Sequence, residues 1–425
     1  MKKINLFVFA AHHLSGNIAA QRFKSLLKYL DPAKYRVFVF AREPALATAE
    51  TTAPPHADIT VFPLPGRCVG SESPVTASLL TLVAAFIRPL PFLLANRHAR
   101  TRPWFVHALA EANRLCSEKL VAGERCVAIG TYSPVDALVA AAALASKHRI
   151  GCLQDFRDGL VFEPLGKPGW LRKGMRKLIE GRVVAASHLI TSVSRPLVDD
   201  FQRRYPGKAA AVLPNGYDPA DFASLDSDVE GSTRAAAILA RQVPANALLI
   251  GHFGRIGASD GSASRSLDYL VDALNGSIEA SANRHLMFVG ELTEAEKASL
   301  RRASFSVSVL GPVERTLALQ LMKRCDKLLL LTGSRASCAT GKLFEYLAAG
   351  AGIVCISGVH NEATAILAQT GTGQTILTSA GASGGDALRV ALSPSGTGTR
   401  RDIAAYSRVV QAGMLDRWIS NMVQP

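Results

Sequence analysis

Short apolar segments alternate with amphipathic segments along most of this chain, and this alternation constrains the fold more than any other feature. Ile4–Ala10 has the length and composition of a buried strand, Ile18–Leu30 carries apolar residues at helical spacing, and Tyr35–Ala41 matches a second strand. Three more strand candidates follow: Val127–Gly130, Gly151–Gln154 and Leu189–Ser192. Short apolar strands separated by helices are typical of α/β proteins with parallel sheets.

A second series of the same kind begins after a break near Tyr205–Gly207. The segment PNGYD at residues 214–218 is a strong turn signal at this point of the chain. A short strand candidate, Ala210–Leu213, ends in this turn. The second series that follows has the strand candidates Ala247–Phe253, His285–Val289, Lys327–Leu331 and Gly352–Ile356. The chain therefore contains the same architecture twice.

The domain organisation follows from these two series. The 425 residues suit two domains of ordinary size, which we place at residues 1–207 and 208–400. An amphipathic helix, Asp402–Met422, is predicted within residues 401–425. The Gly/Ser/Thr-rich stretch Ser379–Gly398 before it is expected to be a surface loop.

The charge of the chain limits its partners. The formal net charge is +14, which favours an anionic partner: nucleic acid, an acidic membrane surface or a phosphorylated small molecule. The sequence has no zinc-ligand cluster, no aromatic RNA-binding motif and no long Lys/Arg tail. Because the positive charge is spread along the chain, we expect no nucleic-acid partner and favour the other two classes.

Cysteines and apolar runs indicate the compartment. The seven cysteines are scattered without CxxC spacing, which indicates a reducing compartment, no metal site and cysteines that serve as small core residues. Lys2-Lys3 followed by Ile4–Ala11 imitates a signal peptide, but the run is short and lacks a small-residue cleavage site. Leu79–Ile87 is far shorter than the roughly 20 residues that a spanning helix needs. We therefore predict a cytoplasmic protein without a membrane-spanning segment.

Two polar segments follow strands of the first series, where parallel sheets bind ligands. In the segment SGN after the first strand, Gly16 lets the backbone approach a ligand closely, although an ordinary tight turn is the alternative. The segment DFRD follows the Gly151–Gln154 strand. A carboxylate there can orient or deprotonate a hydroxyl, so Asp155 and Asp158 are the catalytic candidates. A structural Asp–Arg pair is the alternative.

The segment KPGWLRKGMRKLI at residues 167–179 interleaves apolar side chains with five cations. This composition fits a helix that lies on an anionic membrane surface, and a solvated helix face is the alternative. The residues assigned to membrane contact are Trp170, Arg172, Lys173, Arg176 and Lys177.

A first phosphate-binding candidate lies in the second series. In the segment GHFGR at residues 251–255, the turn at Gly254 can expose backbone N–H groups, and Arg255 can pair with phosphate oxygens. Arg265 follows beyond a Gly/Ser-rich loop and joins this group. For Arg255, an ordinary surface charge is the alternative.

The most specific segment is TGKLFEYLAAG at residues 340–350, after the Lys327–Leu331 strand. Thr340 is the predicted N-cap. The free N–H groups from Gly341 onward favour an anion, and Lys342 adds a point charge. Glu345 lies about one turn further along and can accept two hydrogen bonds from a ribose diol, although pairing with a nearby Lys is the alternative.

With these segments in this order, the sequence resembles the GT-B glycosyltransferases, in particular the glycosyltransferase family 4-like branch, over nearly its whole length. The resemblance implies two Rossmann-like doubly wound α/β domains that face a central cleft, with a nucleotide sugar in the C-terminal domain and the acceptor in the N-terminal domain. It also implies a last helix that crosses back onto the first domain. Members usually retain the anomeric configuration without a divalent metal, so no cofactor is expected beyond the nucleotide-sugar co-substrate. The matching residues are Gly16, DFRD at 155–158, Ser194, PNGYD at 214–218, Gly254-Arg255 and GKLFEYLAAG at 341–350.

The sequence departs from the family pattern at three points. Many members carry two glutamates separated by seven residues; Glu345 matches the second, and Ser337 stands in place of the first. The first loop has Gly16 rather than the frequent glycine pair. Asp155 follows the fifth strand of the first domain, where other members place a His.

The leading hypothesis is sugar transfer from a nucleoside-diphosphate sugar to a lipid-linked or growing glycan in polysaccharide biosynthesis, at the cytoplasmic face of an anionic membrane. Arg255 and Lys342 would offset the charge on the departing diphosphate, while Asp155 or Asp158 would orient the acceptor. The alternatives are a nonhydrolysing nucleotide-sugar epimerase and an inactive GT-B scaffold protein, which Ser337 favours. The first loop lacks GxGxxG, which argues against a dinucleotide dehydrogenase.

Overall fold

The computed structural model describes residues 2–15, 18–43, 58–65, 102–164, 166, 169–256, 262–275, 283–393 and 402–423. Gly16, Cys68 and the apolar run Leu79–Ile87 lie outside these ranges. The chain divides into two compact units, Met1–Pro214 with Arg408–Pro425, and Asn215–Ser407.

The first unit is built on a sheet whose strands all pair in parallel, in the order β3-β2-β1-β4-β5-β6-β7. The strands are β1 (Ile4–Phe9), β2 (Tyr35–Arg42), β3 (Ile59–Leu64), β4 (Arg125–Tyr132), β5 (Gly151–Phe156), β6 (Leu189–Ser192) and β7 (Ala210–Val212). The described helices among them are α1 (Ile18–Lys28), α2 (Arg102–Val121), α3 (Val135–His148), α4 (Trp170–Ala186) and α5 (Arg195–Arg204).

The second unit repeats this plan with a parallel sheet in the order β10-β9-β8-β11-β12-β13. Its strands are β8 (Leu248–Phe253), β9 (Arg284–Val289), β10 (Ser306–Leu310), β11 (Lys327–Leu331), β12 (Gly352–Ser357) and β13 (Gly373–Leu377). Its described helices are α6 (Pro219–Ala223), α7 (Val229–Gln242), α8 (Ser262–Asn275), α9 (Glu294–Arg301), α10 (Arg315–Met322), α11 (Gly341–Ala349), α12 (Glu362–Thr370) and α13 (Gly381–Ala391). The predicted class, two Rossmann-like doubly wound α/β domains, is confirmed.

Both sheets reverse their strand order at one place, between β1 and β4 in the first unit and between β8 and β11 in the second. At such a switch point the loops after the two strands turn to opposite faces of the sheet. The crevice that opens beyond the carboxyl ends of the strands is where open α/β sheets bind ligands. Each unit therefore has one position where a ligand site is expected.

Burial in the cores explains why the central strands could be predicted from the sequence. All six residues of β1 and all five of β11 are buried, because parallel strands covered by helices on both faces become continuous apolar runs. The six described cysteines are free and buried, which confirms their interpretation as small core residues.

A final helix, α14 (Arg408–Met422), packs on the first unit rather than on the second, which it follows in sequence. Leu415 and Ile419 are fully buried in the same apolar cluster as residues of β1 and β2. The hydroxyl of Tyr35 donates to Asp416 Oδ1 at 2.6 Å, which joins this helix to β2.

Some predicted elements were wrong or missing. Of the four edge strands, β7 was predicted, whereas β3, β10 and β13 were not; the residues of these three strands are mostly only partly buried, so their apolar pattern is weak. The predicted loop Ser379–Gly398 contains helix α13, in which Leu388 is fully buried in the core. Burial of this apolar side chain outweighs the low helix propensity of the glycines.

Candidate functional site

In the second unit, the carboxyl end of β8 turns at Gly254. This residue has a positive φ of +78°, and its N–H donates to the carbonyl of Val289 at the end of β9 at 2.7 Å. Gly290 lies against it: a Cβ on Gly290 would come within 2.9 Å of the Gly254 Cα. The two glycines therefore let the loops after β8 and β9 approach each other more closely than residues with side chains permit.

Lys342 from α11 reaches this turn. Its Nζ donates to the carbonyl oxygen of Arg255 at 2.5 Å and lies 3.3 Å from Nε2 of His252. The other ring nitrogen of the buried His252, Nδ1, lies 2.9 Å from the carbonyl oxygen of Leu329 in β11. A proton on Nδ1 satisfies that carbonyl and leaves Nε2 to accept from the lysine. Lys342 is thus held at the β8/β11 switch point.

Burial affects the charge of both residues. It lowers the pKa of His252 well below its ordinary value, and the neighbouring Lys342 lowers it further, so this imidazole is neutral. Burial also lowers the pKa of Lys342 from 10.5 to about 8, although nearby acidic groups, Glu345 among them, act to raise it. At neutral pH the ammonium is therefore charged, yet poorly hydrated, and an anion that binds it gains more than it would in water.

The start of α11 lacks a side-chain cap. Thr340 occupies the N-cap position with an extended backbone, as predicted, but its side chain makes no capping hydrogen bond. Its Oγ1 is buried without a hydrogen-bond partner among the described residues. A helix N-terminus carries a partial positive charge. Together with Lys342 one residue into the helix, it forms a site suited to an anion.

Glu345 lies on the same helix and has a partner, Arg315, that was not predicted. Its Oε1 pairs with Nη1 of Arg315 from α10, and the same guanidinium pairs with Asp221 at 2.8 Å. Burial alone would lower the pKa of Arg315, but the carboxylates of Glu345 and Asp221 raise it. Glu345 is one-fifth exposed. A ribose diol would have to share this carboxylate with Arg315 or displace it.

The two predicted arginines of this unit are less closely involved. The guanidinium of exposed Arg255 pairs with Glu291, Nε to Oε2 at 3.0 Å, so it is the backbone of Arg255 that contacts Lys342. Arg265 is exposed on α8. Ser337, where many family members carry a glutamate, is buried. The structure thus brings Gly254, the Arg255 backbone and Lys342 together, with Glu345 one turn along the same helix.

In the first unit, Asp155 lies inside β5 because this strand extends two residues beyond its predicted end, to Phe156. Its carboxylate is fully buried and pairs with the equally buried Arg22 through two hydrogen bonds, Nη2 to Oδ1 at 2.8 Å and Nε to Oδ2 at 3.1 Å. Thr131 and Thr191, its neighbours in β4 and β6, donate to Oδ2 and Oδ1, each at 3.0 Å. With four hydrogen bonds accepted from within the chain, Asp155 is better suited to a structural role than to binding an acceptor.

Asp158 lies beyond β5 and is partly exposed. Nη2 of Arg157 is 3.8 Å from its Oδ2, a loose ion pair that leaves most of the guanidinium donors for other partners. Of the two predicted catalytic carboxylates, Asp158 is partly exposed and Asp155 is fully buried.

A pocket lies next to these residues at the carboxyl ends of β1 and β4. Its walls include His12, His13, Phe23, Thr131, Ser133 and Arg157. The two histidines were not among the predicted site residues. The signal was present, because two consecutive imidazoles directly follow a buried strand at a position where doubly wound sheets bind ligands.

The basic helix α4 exposes part of the predicted membrane-contact set. Trp170 is 86% exposed, with Leu171 and Leu178 also exposed, and the cations Arg172, Lys173 and Lys177 are exposed on the same helix. Arg176 differs, since its Nε and Nη1 atoms are buried without a hydrogen-bond partner in the described part of the chain. No helix within the described ranges is both long enough and apolar enough to cross a membrane.

No clustering of three or more His, Cys, Asp or Glu side chains that suits a metal ion occurs within the described ranges.

Comparison with known proteins identifies the fold. No protein-family model matches the sequence, and no curated protein matches it. A glycosyltransferase from Rickettsia africae ESF-5 aligns with a TM-score of 0.59 at 11% identity, covering 100% of this chain and 99% of that one. A UDP-forming trehalose-phosphate synthase from Burkholderia xenovorans aligns with a TM-score of 0.61 at 13% identity over 100% of both chains. The UDP-GlcNAc 2-epimerase of Methanocaldococcus jannaschii aligns with a TM-score of 0.52 at 11% identity over 99% of both.

At these identities the similarity establishes the fold alone. This chain has the GT-B fold of those glycosyltransferases, and the same fold carries an epimerase.

Proposed function

We propose that this chain is a glycosyltransferase that moves a sugar from a nucleoside-diphosphate sugar to a lipid-linked or growing glycan in polysaccharide biosynthesis. The observation that carries the proposal is Lys342 at the uncapped start of α11, held beside the Gly254 turn at the β8/β11 switch point. A UDP-forming synthase of the same fold supports the donor class.

In the proposed reaction, the bond between the sugar's anomeric carbon and the diphosphate breaks, and the diphosphate leaves with the electron pair. An acceptor hydroxyl oxygen forms the new bond to the anomeric carbon, and its proton passes to the departing diphosphate. The Lys342 ammonium and the N–H groups that begin α11 would stabilise the negative charge that develops. Removal of one such preorganised donor typically lowers a rate by about 100- to 1000-fold. Glu345 would hold the ribose by accepting a hydrogen bond from each of its two hydroxyl groups.

The acceptor would bind in the first unit. Asp158, which is partly exposed beyond β5, is the proposed orienting carboxylate. We further propose that transfer retains the anomeric configuration and needs no divalent metal, as the family resemblance implies. Turnover that persists in excess EDTA would support metal independence, and a loss restored by Mg²⁺ or Mn²⁺ would refute it.

The exposed side of α4 is the proposed membrane contact. Trp170 and Leu171 offer apolar surface, and Arg172, Lys173 and Lys177 offer positive charge to anionic headgroups. A protein that docks in this way would work at the cytoplasmic face of a membrane, where lipid-linked acceptors are accessible to the first unit.

Two alternative functions are each supported by a specific observation. Fold similarity to UDP-GlcNAc 2-epimerase supports an epimerase. The buried Ser337 and the Glu345–Arg315 pair support an inactive scaffold.

The test is incubation with UDP-, GDP-, ADP- and dTDP-sugars, with and without a membrane lipid extract, followed by product analysis. Acceptor-dependent release of nucleoside diphosphate together with a glycosylated lipid supports the transferase. A C2 epimer formed from the donor alone supports the epimerase, and no turnover of any donor supports the scaffold.

A further inference from the structure

His252 is the polar exception in β8. The other residues of this strand are leucine, isoleucine, glycine and phenylalanine, as expected for a central parallel strand covered by helices on both faces. The imidazole is 1% exposed, and Phe288 of the neighbouring β9 packs against it with the ring centroids 5.6 Å apart. A polar ring in such a core costs free energy unless its hydrogen bonds are made. The partners of this ring therefore indicate its role.

The two ring nitrogens of His252 connect β11 to α11. Nδ1 lies 2.9 Å from the carbonyl oxygen of Leu329 in β11, and Nε2 lies 3.3 Å from Nζ of Lys342. A carbonyl oxygen can only accept a hydrogen bond, and an ammonium can only donate one. The neutral tautomer with its proton on Nδ1 satisfies both contacts, whereas the tautomer with its proton on Nε2 satisfies neither.

The Lys342 ammonium has three N–H groups to distribute. One donates to the carbonyl oxygen of Arg255 at 2.5 Å, and a second is directed at Nε2 of His252. With two directions fixed, the direction of the third follows from the tetrahedral geometry at Nζ. The two partners therefore leave one donor for a ligand and set where it points. A donor that is positioned in advance binds more tightly, because less freedom is lost on binding.

We propose that His252 is a positioning residue for the donor diphosphate: it accepts a hydrogen bond from Lys342 while the Leu329 carbonyl fixes its ring, and so aims the ammonium. This inference rests on the proposed glycosyltransferase function, in which Lys342 stabilises the departing diphosphate, and it adds the residue that orients this lysine. A histidine that only fills the core makes the same contact with Leu329 but has no effect on ligand binding through Lys342.

The test compares replacements of His252 in the full chain. His252→Gln keeps an acceptor within reach of Lys342, and His252→Met, of similar size, does not. His252→Asn is too short to reach the lysine but can still donate to the Leu329 carbonyl. The probe is whichever of UDP, GDP, ADP and dTDP wild type binds most tightly by isothermal titration at neutral pH. His252→Met and His252→Asn should weaken its binding about tenfold or more, and His252→Gln about threefold or less.

Two further proteins show whether the effect passes through the lysine. The matched control is His285→Met in β9, a change at another buried histidine of the same sheet, whose ring contacts the hydroxyls of Ser306 and Ser308; it should bind the probe like wild type. In a Lys342→Met background, His252→Met should have no further effect on affinity. The proposal is overturned if the three His252 variants bind alike, or if His252→Met weakens binding equally with and without the lysine.

A measurement without nucleotide separates this inference from the proposed function. The rate at which acetic anhydride acylates Lys342, followed by peptide mass spectrometry as the pH is raised, reports the pKa of its ammonium, which is about 8 in wild type. His252→Met should have a lower Lys342 pKa than His252→Gln, because the charged form loses its acceptor. The acidic groups that act on the lysine, Cys338, Glu345 and Glu296, are the same in both variants.

If wild type binds none of the four nucleotides, the proposed function fails, and the acylation experiment decides the inference. A lower Lys342 pKa in His252→Met than in His252→Gln then supports the positioning role, and equal pKa values overturn it. Melting temperatures identify any variant that fails to fold. If His252→Met is such a variant, His252→Asn takes its place in every comparison.

Discussion

Arg22 and Asp155 form a buried bidentate ion pair, and the same guanidinium donates to the carbonyl oxygens of Leu213 at 2.7 Å and Pro214 at 2.8 Å. One arginine of α1 therefore joins β5 to the segment that ends the first unit at Pro214. The Asp155 carboxylate holds Arg22 in place. The conformation of the segment that ends at Pro214 therefore depends on Asp155, a residue that the sequence suggested for catalysis.

We predict that Asp155→Ala destabilises the protein strongly, because it leaves the Arg22 charge buried without its partner. Breaking a buried pair in this way typically costs about 3–5 kcal/mol. The double variant Arg22→Met/Asp155→Leu removes both charges and should be more stable than Asp155→Ala. Urea unfolding measures the stability of both variants. Each variant that folds should bind the donor with wild-type affinity. Wild-type stability of Asp155→Ala with loss of activity would instead restore the catalytic assignment.

Donor binding should depend on pH through Lys342. Since the pKa of this lysine in the folded protein is about 8, its contribution to diphosphate binding is fully present well below pH 8 and is lost as the pH rises. The bound diphosphate raises the pKa, so the loss in the complex is shifted to higher pH. Isothermal titration with the donor from pH 6.5 to 9.5 measures the effect, and Lys342→Met should bind weakly with a flat profile.

As the pH rises, the contribution of Lys342 to the stability of the free protein should increase, whereas its contribution to donor binding decreases. The unfolded chain keeps the lysine proton up to its ordinary pKa of 10.5, whereas the folded chain releases it near 8. The unfolded state therefore binds more protons between these values, and the contribution of Lys342 to the free energy of unfolding rises with pH in this window. Comparison with Lys342→Met isolates this contribution. If wild type and Lys342→Met show the same pH dependence of both donor binding and unfolding, the role given to this ammonium is incorrect.

Glu345→Gln should weaken donor binding by about 10- to 100-fold, because a charge-assisted hydrogen bond to the ribose contributes roughly 1.5–3 kcal/mol. The matched control is Arg315→Met, which removes the competing partner while leaving the carboxylate intact. It should bind the donor at least as tightly as wild type. Comparison of a ribonucleotide sugar with its 2′-deoxy analogue gives the specific readout: wild type should discriminate between them and Glu345→Gln should not. Equal discrimination by both proteins would remove Glu345 from the ribose site.

Binding to anionic vesicles should depend on three exposed cations of α4. Each basic residue near such a surface contributes about 1 kcal/mol, so changing Arg172, Lys173 and Lys177 to Ser should weaken binding roughly 100-fold at low salt. Trp170→Ala should weaken it with little salt dependence, because its contribution is apolar burial. Vesicle sedimentation at increasing ionic strength measures both.

Arg176 is left unchanged in this design, because two of its guanidinium nitrogens are buried. The matched control changes Lys147, Arg195 and Arg203, exposed cations elsewhere on the first unit, to Ser. If this control loses as much vesicle binding as the α4 variant, the attraction comes from net charge alone and α4 is not a docking surface.

The sequence by itself determined the architecture, because the buried strands and the helices between them leave local, periodic signals. The Lys327–Leu331 strand was predicted with its observed bounds. The segment from Thr340 was recognised as a helix start, because Thr340 is an N-cap candidate that follows the Lys327–Leu331 strand across a polar loop. Such signals need no information from elsewhere in the chain.

Only the tertiary structure decided which polar residues meet. Asp155 pairs with Arg22, which lies 133 residues away, and takes hydrogen bonds from threonines of the two neighbouring strands. Glu345 pairs with Arg315 rather than with a lysine, and His13 faces a pocket with Arg157. These contacts follow from strand order and helix packing. A local pattern shows that a polar residue ends a strand or lies in a helix, but the partner that sets its charge and its role is brought to it by the fold of the whole unit.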